Sequence, residues 1–282
     1  MPLEDDFSDI VKKARMGLGR SVETVAQSSG VKIDHLLTLE RGSRTPTTDE
    51  THAIAKTLGL RSAALADIAS GKWTPLSPPP QTTACVETIL GSIGGYEVKG
   101  YIVHDSGEAI LIDTAYNPAA MIRYLTANHL RLTAVCLTHG HSDHADGMEQ
   151  LLDHHSAPVY LGAADESLLS WTPPRAHLNE PHHGGTISVG RLQIRFMTTP
   201  GHTPGGTCYR LTGGAVPMCF VGDTLFAGSI GRSNPSALYS THLESVRAHV
   251  LALSSDTVLF PGHGPATTVH EEISHNPFVP SA

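Results

Sequence analysis

Hydrophobic and polar positions divide the chain into three stretches. Ahead of Trp73, short helical patterns are separated by glycines, and these patterns predict helices over residues 9–16, 21–28, 31–41, 48–58 and 61–68. Residues 73–82 contain three successive prolines, which favour an extended, fairly stiff spacer that belongs to no helix. From residue 83 onwards, short apolar runs alternate with helical patterns. The sequence therefore predicts a small all-α domain over 1–72, a linker over 73–82 and a larger domain over 83–282.

Helix ends in the first domain have their own signals. Ser21 and Thr48 are predicted N-caps, because a side-chain oxygen at that position accepts a hydrogen bond from a free backbone N–H of the first turn. Gly42 and Gly59 lie where a helix commonly ends in a left-handed residue.

The larger domain begins with predicted strands and continues with strands and helices in alternation. Strands are predicted over 85–90, 97–104, 109–113, 134–137, 158–161 and 257–260, with two more ending at Thr198 and Asp223. Helices are predicted over 117–128, 147–154 and 242–253. This order fits two mixed β-sheets packed face to face with helices outside.

The densest cluster of potential metal ligands follows the predicted strand at 134–137. Residues 138–144 have the sequence THGHSDH, which places three imidazoles and a carboxylate in a tight turn. Imidazole nitrogens and carboxylate oxygens suit zinc, iron and manganese, and a turn directs some side chains to one ion and the others to a second. The run therefore predicts two metals in one pocket.

Three later segments each place one potential ligand beside glycine after an apolar run. These are TPGHTPG at 199–205, VGDT at 221–224 and FPGHGP at 260–265. Glycine allows a sharp turn at the end of a strand, where a pocket can form. A chain with 18 histidines could have solvated His-rich loops. Together with the turn at 138–144, however, four strand ends carry potential ligands, and so many are unlikely to occur by chance. They therefore favour a metal centre over solvated loops.

These motifs resemble the metallo-β-lactamase superfamily, and within it the glyoxalase II-like hydrolases. The resemblance runs from about residue 83 to the C-terminus and includes GDTLFAGSIGR at 222–232 and NPF at 276–278. It implies an αββα sandwich and two divalent metal ions, zinc first, with iron or manganese as alternatives. The implied ligands of one ion are His139, His141 and His202, those of the second are Asp143, His144 and His263, and Asp223 bridges the two.

The resemblance also implies a reaction. Two cations that share a hydroxide give a nucleophile at neutral pH, so we expect hydrolysis of an ester or thioester, with Asp143 orienting the attacking group. Asp113 is expected to support the ligand loop by hydrogen bonds, and Arg232 to form an internal ion pair or to contact a substrate anion. Glutathione recognition stays open, because residues 232–242 depart from the acidic Gly-Arg-Thr-Asp pattern of these relatives. An alternative is a persulfide dioxygenase, whose relatives share the ligands and use one iron.

Composition changes the picture little. The chain has 282 residues, 40% of them hydrophobic and 16% charged. These proportions are ordinary for a globular protein. No apolar stretch is long enough to cross a bilayer, and the acidic N-terminus is unlike a signal peptide, so a cytoplasmic protein without membrane partners is predicted. The four cysteines lie apart in apolar segments and are predicted to be buried thiols.

A second resemblance lies between residues 22 and 46. Val25-Ala26 and Gly30-Val31, followed by Leu36, Leu39, Glu40, Gly42 and Pro46, are similar to the Cro/λ-repressor-type (XRE) helix-turn-helix. In that family the second helix enters the major groove, so the candidate DNA contacts are Lys32, Asp34, His35 and Thr38.

The charge of residues 1–72 bears on that resemblance. Lysines plus arginines equal aspartates plus glutamates there, although phosphate binding usually requires a basic surface. A structural or protein-contact role thus stays open beside binding of double-stranded DNA. Because such domains act as symmetric pairs, a homodimer is expected. A further alternative is a transcription regulator in which the metallo domain senses a small molecule.

Overall fold

The computed structural model describes residues 1–280, with the side chain of Thr83 left aside. It begins with five helices, as the sequence predicts. They are α1 (Phe7–Gly17), α2 (Val22–Ser29), α3 (Ile33–Glu40), α4 (Thr48–Leu58) and α5 (Ser62–Ala69).

Capping residues explain where these helices begin. Ser21 is the N-cap of α2, because its side chain accepts from the backbone N–H of Thr24. The predicted N-cap at Thr48 is wrong by one residue, since Thr47 fills that position. The Thr47 hydroxyl accepts from Glu50 N at 3.2 Å. In return, the Glu50 carboxylate accepts from Thr47 N at 2.9 Å, which completes a capping box.

The rest of the described chain forms two six-stranded sheets. The first has the order β1 (Val86–Ile93), β2 (Tyr96–Asp105), β3 (Glu108–Ile112), β4 (Arg131–Cys136), β5 (Val159–Tyr160) and β6 (Leu178–Asn179). In the second sheet, neighbouring strands are also consecutive in the chain. Its strands are β7 (Thr186–Val189), β8 (Leu192–Thr198), β9 (Thr207–Thr212), β10 (Met218–Gly222), β11 (Val258–Pro261) and β12 (Thr267–Thr268).

Five further helices lie between or after the strands. They are α6 (Pro118–Ala127), α7 (Ser142–Ala145), α8 (Met148–His154), α9 (Tyr239–Ser245) and α10 (Val269–His275). The helix predicted over 242–253 instead begins at Tyr239 and passes into a π-helical turn at Val246–Val250. The two sheets with helices outside confirm the αββα sandwich.

Burial follows strand position. The strand β3 is paired in parallel with β4 and covered on both faces, so its residues after Glu108 form a continuous buried run. In β8 burial alternates at Leu192, Ile194 and Phe196, because successive side chains point to opposite faces.

Three hydrophobic clusters pack the layers against one another. One fills the space between the sheets, where Tyr101 contacts Phe220 and Phe260 with ring centroids 5.1 and 5.4 Å apart. A second joins the first sheet to α6 and α8. The third lies on the outer face of the second sheet and continues without a break into the N-terminal helices.

The proline-rich stretch is packed against the sandwich. The Trp73 ring stacks on that of His275 with centroids 4.9 Å apart, and Leu76 N donates to the Glu271 carboxylate at 2.7 Å. The helical unit is also tied directly to the C-terminal segment, because Arg61 N donates to Pro277 O at 2.8 Å. The N-terminal helices and the sandwich therefore share one hydrophobic core.

The cysteines and the helix lengths bear on two further predictions. Cys136, Cys208 and Cys219 are buried free thiols, whereas Cys85 is only half-buried. Among residues 1–280, no helix is long and apolar enough to cross a membrane.

Candidate metal centre

The His-rich turn begins directly after β4 and is held by Asp113 at the end of β3. Asp113 has a left-handed backbone, with φ of 56°, and its carboxylate accepts from Thr138 N and Thr138 Oγ1, each at 2.7 Å. The same carboxylate accepts from His144 Nδ1 at 2.8 Å. One buried carboxylate thus fixes both ends of the turn that carries His139 to His144.

The other three candidate ligands lie in turns after strands of the second sheet. His202 follows β8, Asp223 follows β10 and His263 follows β11. Gly222 precedes Asp223 with φ of +47°, a conformation that residues other than glycine rarely adopt.

The structure brings the seven predicted ligands together. These side chains form three overlapping groups, and within each group the potential ligand atoms all lie within 4.8 Å of one another. They are His139, His141 and His202; His139, His144 and Asp223; and Asp143, His144 and His263. The Asp223 carboxylate lies between the groups, with Oδ2 3.6 Å from His202 Nε2 and Oδ1 3.3 Å from His144 Nε2.

Hydrogen bonds on the outer side orient three of these imidazoles. The Nδ1 atoms of His144, His202 and His263 contact, respectively, the Asp113 carboxylate at 2.8 Å, Arg232 O at 2.7 Å and Glu97 O at 2.6 Å. A donated hydrogen bond from one ring nitrogen leaves the other, Nε2, with its lone pair towards the centre, as in protein metal sites.

The inner atoms of these side chains either have no hydrogen-bond partner or face another imidazole nitrogen. His139 Nε2 and Asp223 Oδ1 are buried and, within the described residues, have no hydrogen-bond partner. His202 Nε2 lies 3.0 Å from His141 Nδ1, and His144 Nε2 lies 3.4 Å from His263 Nε2. Leaving buried polar atoms unpaired is costly, and a cation between these lone pairs would satisfy them. The donor set therefore fits divalent metal ions.

Comparison with known proteins agrees with this geometry. A family model described as "Metallo-beta-lactamase superfamily" matches residues 94–263. The chain belongs to this superfamily. It is 29% identical over 192 residues to the hydroxyacylglutathione hydrolase GloC of Haemophilus influenzae, covering 63% of this chain and 90% of GloC.

Two solved structures of the superfamily fold are similar. The BLEG-1 B3 metallo-β-lactamase superposes with a TM-score of 0.61 at 28% identity, covering 68% of this chain and 98% of that one. The ETHE1 structure from Myxococcus xanthus gives a TM-score of 0.56 at 25% identity, covering 68% and 83%. Divalent metal binding is a property of the superfamily, and this chain has the His and Asp groups for it.

Burial and charge determine the protonation of the candidate ligands in this superfamily member. Burial lowers the pKa of His139 well below its usual range and the pKa of His202 to about 3, so both rings are neutral and able to ligate. Burial also opposes the charged form of His263, but the Asp223 charge, a hydrogen bond to Asp143 and one to Glu97 O together outweigh it and raise the pKa of His263 to about 8. The centre thus attracts positive charge at Asp223.

Glycines allow the ligand loops to meet closely. A Cβ atom on Gly262 would overlap the His144 ring and lie 2.6 Å from Asp223 Oδ1. A Cβ atom on Gly231 would lie 2.9 Å from His202 Nδ1. Any larger residue at these positions would displace the candidate ligands.

Sequence reasoning missed a carboxylate that joins two ligand loops. Asp165 is fully buried and accepts from Gly140 N at 3.2 Å, Thr203 Oγ1 at 2.6 Å and Gly205 N at 2.7 Å. It lies in a 3₁₀ turn after β5, so its position after a strand was the available signal.

A second missed residue is His242, which lies behind the Asp223 loop. Its Nε2 contacts Thr224 O at 2.8 Å and its Nδ1 contacts Ser233 Oγ at 3.1 Å. Burial lowers the pKa of His242 to about 4, so the ring is a neutral buried support.

The candidate metal centre opens into a cavity of about 820 Å³. Of the candidate ligands, His141, Asp143, His202, Asp223 and His263 line it. Arg232 lies exposed on the cavity lining and, among the residues described, forms no ion pair.

The candidate DNA contacts lie on α3 and the residue before it. Lys32, Asp34 and His35 are exposed, and Thr38 is half-buried. His35 is already engaged, because its Nδ1 lies 3.0 Å from the Glu50 carboxylate. The turn before α3 contains Gly30, which ends α2 in a left-handed conformation.

Proposed function

We propose that this chain is a metal-dependent hydrolase that cleaves an activated ester, with a thioester as the substrate class. The observation that supports this most is that three overlapping groups of His and Asp side chains meet around Asp223 and open into one cavity. The similarity to GloC, which is named a hydroxyacylglutathione hydrolase, favours a thioester.

In this proposal His139, His141 and His202 would hold one divalent ion, and Asp143, His144 and His263 would hold a second. Asp223 would contribute to both, because its two oxygens face different groups. When bound, such ions polarise a carbonyl and lower the pKa of coordinated water. We infer zinc as the metal, since several nitrogen ligands with carboxylates suit it, and iron or manganese are the alternatives.

The protein's own groups position the reactants. The Asp143 side chain is 23% exposed, compared with 10% for Asp223, so its carboxylate faces the cavity. It is placed to orient an attacking oxygen by accepting a hydrogen bond from it. Asp113 accepts hydrogen bonds from Thr138 and His144, which supports the proposal that it holds the ligand loop in place.

Activity and metal dependence test the proposal together. The zinc-loaded chain should hydrolyse lactoylglutathione or another thioester, and a chelator should abolish the activity. His141→Ala should reduce kcat/KM by about 100-fold or more, because a lost ligand leaves the centre incomplete. His154→Ala, at an exposed position outside the site, is the matched control. Thioester hydrolysis that survives chelation would overturn the proposal.

The same preparation distinguishes the persulfide dioxygenase alternative. That enzyme class would show one iron per chain and oxygen uptake on glutathione persulfide. A hydrolase would instead show about two metals and no oxygen uptake.

We infer a second, DNA-binding role for residues 1–72 from the left-handed turn at Gly30 and the exposed start of α3. Double-stranded DNA containing an operator should bind with a strong salt dependence, and Lys32→Gln should weaken binding relative to Lys56→Gln.

A homodimer should accompany the DNA-binding role, because helix-turn-helix domains of this type bind two half-sites of the DNA as a symmetric pair. A light-scattering mass equal to one chain of 29.9 kDa would contradict it. Affinity that changes with metal or substrate would support the regulator alternative.

A further inference from the structure

One wall of the metal-centre cavity is formed by the N-terminal segment and α1 instead of by the sandwich. Glu4, Asp5, Asp9, Lys13 and Met16 line the same cavity as the candidate metal ligands. The helical unit is therefore part of the hydrolase site, although the sequence suggests a separate domain on a linker.

This wall is fixed to the loop that follows Asp223. Lys13 Nζ donates to Ile230 O at 2.9 Å and forms an ion pair with Asp5, which also accepts from Ser229 Oγ. The Lys13 ammonium lies 4.9 Å from the centre of the Phe226 ring. These contacts join α1 to the turn between Asp223 and Arg232.

Close packing holds both ends of the segment. A Cβ atom on Gly264, next to His263, would lie 3.0 Å from Glu4 N. At the other end of α1, a Cβ atom on Gly17 would overlap the Tyr239 ring of α9. The position of Glu4 and Asp9 at the cavity is thus set by close contacts on both sides.

Two carboxylates of this wall have no direct ion-pair partner. Lys13 forms an ion pair with Asp5, whereas Glu4 and Asp9 form none with any residue of the described chain. One oxygen of Asp9 accepts a long hydrogen bond from Asp6 N, at 3.5 Å, in the capping box of α1. Burial is the largest of the effects that raise the pKa of Glu4 and of Asp9, as expected for carboxylates at a partly desolvated cleft.

The same cavity has features of a ligand site. Asp223 is 8% exposed and lines the cavity, and its Oδ1 atom has no hydrogen-bond partner among the described groups. Met16, Ile93 and Phe226 add apolar surface between the metal centre and the acidic wall. A ligand that fits this arrangement has an apolar body and a cationic end.

We propose that α1 selects the substrate, with Glu4 and Asp9 binding a cationic, amine-bearing end of a thioester whose carbonyl lies at the metal centre. This inference rests on the proposed hydrolase function and names the class of its substrate.

Binding of product-like thiols tests the inference without turnover. Three blocked dipeptide thiols, each an N-acetylated cysteine followed by the amide of lysine, glutamine or glutamate, carry a positive, a neutral and a negative end. Glutamine and glutamate have nearly the same shape, so that pair isolates the effect of charge. Calorimetry on the zinc-loaded full chain should give about tenfold tighter binding of the lysine thiol than of the glutamate thiol, because two carboxylates act on one charge across a partly desolvated cleft. In the double variant Glu4→Gln/Asp9→Asn this ratio should fall to about twofold or less.

Controls separate selection from folding and from catalysis. Glu23→Gln on α2 removes one exposed acid of the same unit outside the cavity and should leave the ratio unchanged. The single variant Glu4→Gln gives an intermediate ratio, and thermal melting verifies that each variant is folded. A ratio in the double variant equal to that of the wild type, or failure of all three thiols to bind, overturns the inference.

Hydrolysis of the three lactoyl thioesters tests the proposed function separately. Selective binding of the thiols without hydrolysis would refute the thioesterase proposal and leave charge selection by α1 supported. Hydrolysis with no effect of the double variant on the order of substrates would refute selection by α1 and leave the thioesterase supported.

Discussion

Replacing Asp113 by asparagine should weaken metal binding although Asp113 is not a proposed ligand. Its carboxylate is buried and accepts three hydrogen bonds, two from Thr138 and one from His144 Nδ1. Asparagine has a single oxygen, so its amide NH₂ must face a backbone N–H, a hydroxyl or the His144 ring. At least one hydrogen bond to a buried charge is lost.

The size of the effect follows from that loss. A hydrogen bond to a charged group contributes about 1.5–3 kcal/mol, which corresponds to about 10- to 100-fold in a dissociation constant. Loss of a carboxylate that orients a metal-binding histidine has effects of about the same size. Asp113→Asn should therefore raise one of the two metal dissociation constants by about 10- to 100-fold, at the site that contains His144.

Competitive titration of the metal-free chain against a chromophoric zinc chelator measures both constants. Asp105→Asn is the matched control, because Asp105 also accepts several hydrogen bonds, from Arg191, but lies outside the metal centre. If both dissociation constants of Asp113→Asn stay within about twofold of the wild type, the proposed role of Asp113 is refuted.

Three further predictions concern stability and packing. Burial lowers the pKa of Lys99 from 10.5 to about 8, so the unfolded chain binds more protons between those values. Lys99→Met should raise the free energy of unfolding by about 3 kcal/mol at pH 7, and the gain should vanish above about pH 10 by urea denaturation. Burial raises the pKa of Glu272 from 4.5 to about 7, so the folded chain binds more protons between these values. Stability should then fall by about 3 kcal/mol as pH rises through that range, and Glu272→Gln should flatten the profile. Gly262→Ala places a Cβ atom 2.6 Å from Asp223 Oδ1 and should lower the metal content measured by mass spectrometry.

Each of these predictions has a matched control at a site without the proposed constraint. Lys56→Met and Glu244→Gln remove exposed charges, and Gly214→Ala adds a Cβ atom that meets no atom closer than 3.7 Å. No gain in Lys99→Met at pH 7, an unchanged pH slope in Glu272→Gln, or full metal content in Gly262→Ala would contradict the respective arguments.

The parts of the fold that could be predicted are those with local causes. The N-terminal helices have periodic apolar residues and glycines or caps at their ends, so their number and approximate bounds were predictable. The ligand turns combine a strand end, a glycine and a metal-binding side chain, all within a few residues. The structure brings these turns together, and the roles of the seven side chains stay a proposal.

The parts that could not be predicted depend on contacts distant in sequence. Strands of two residues, such as Val159–Tyr160, have no periodicity, and β9 contains polar residues that are buried by pairing. The role of Asp165 depends on loops that lie 25 and 40 residues away. Nothing in the pattern of α1 indicates which surface it packs on, so its place in the metal-centre cavity is visible only in the structure.

Anomalous diffraction at the zinc edge, from crystals of the zinc-loaded chain, tests the central claim most directly. The account predicts two strong peaks on either side of the Asp223 carboxylate, one near His139, His141 and His202 and the other near Asp143, His144 and His263. No peak among these side chains, or zinc bound only elsewhere on the molecule, would contradict it.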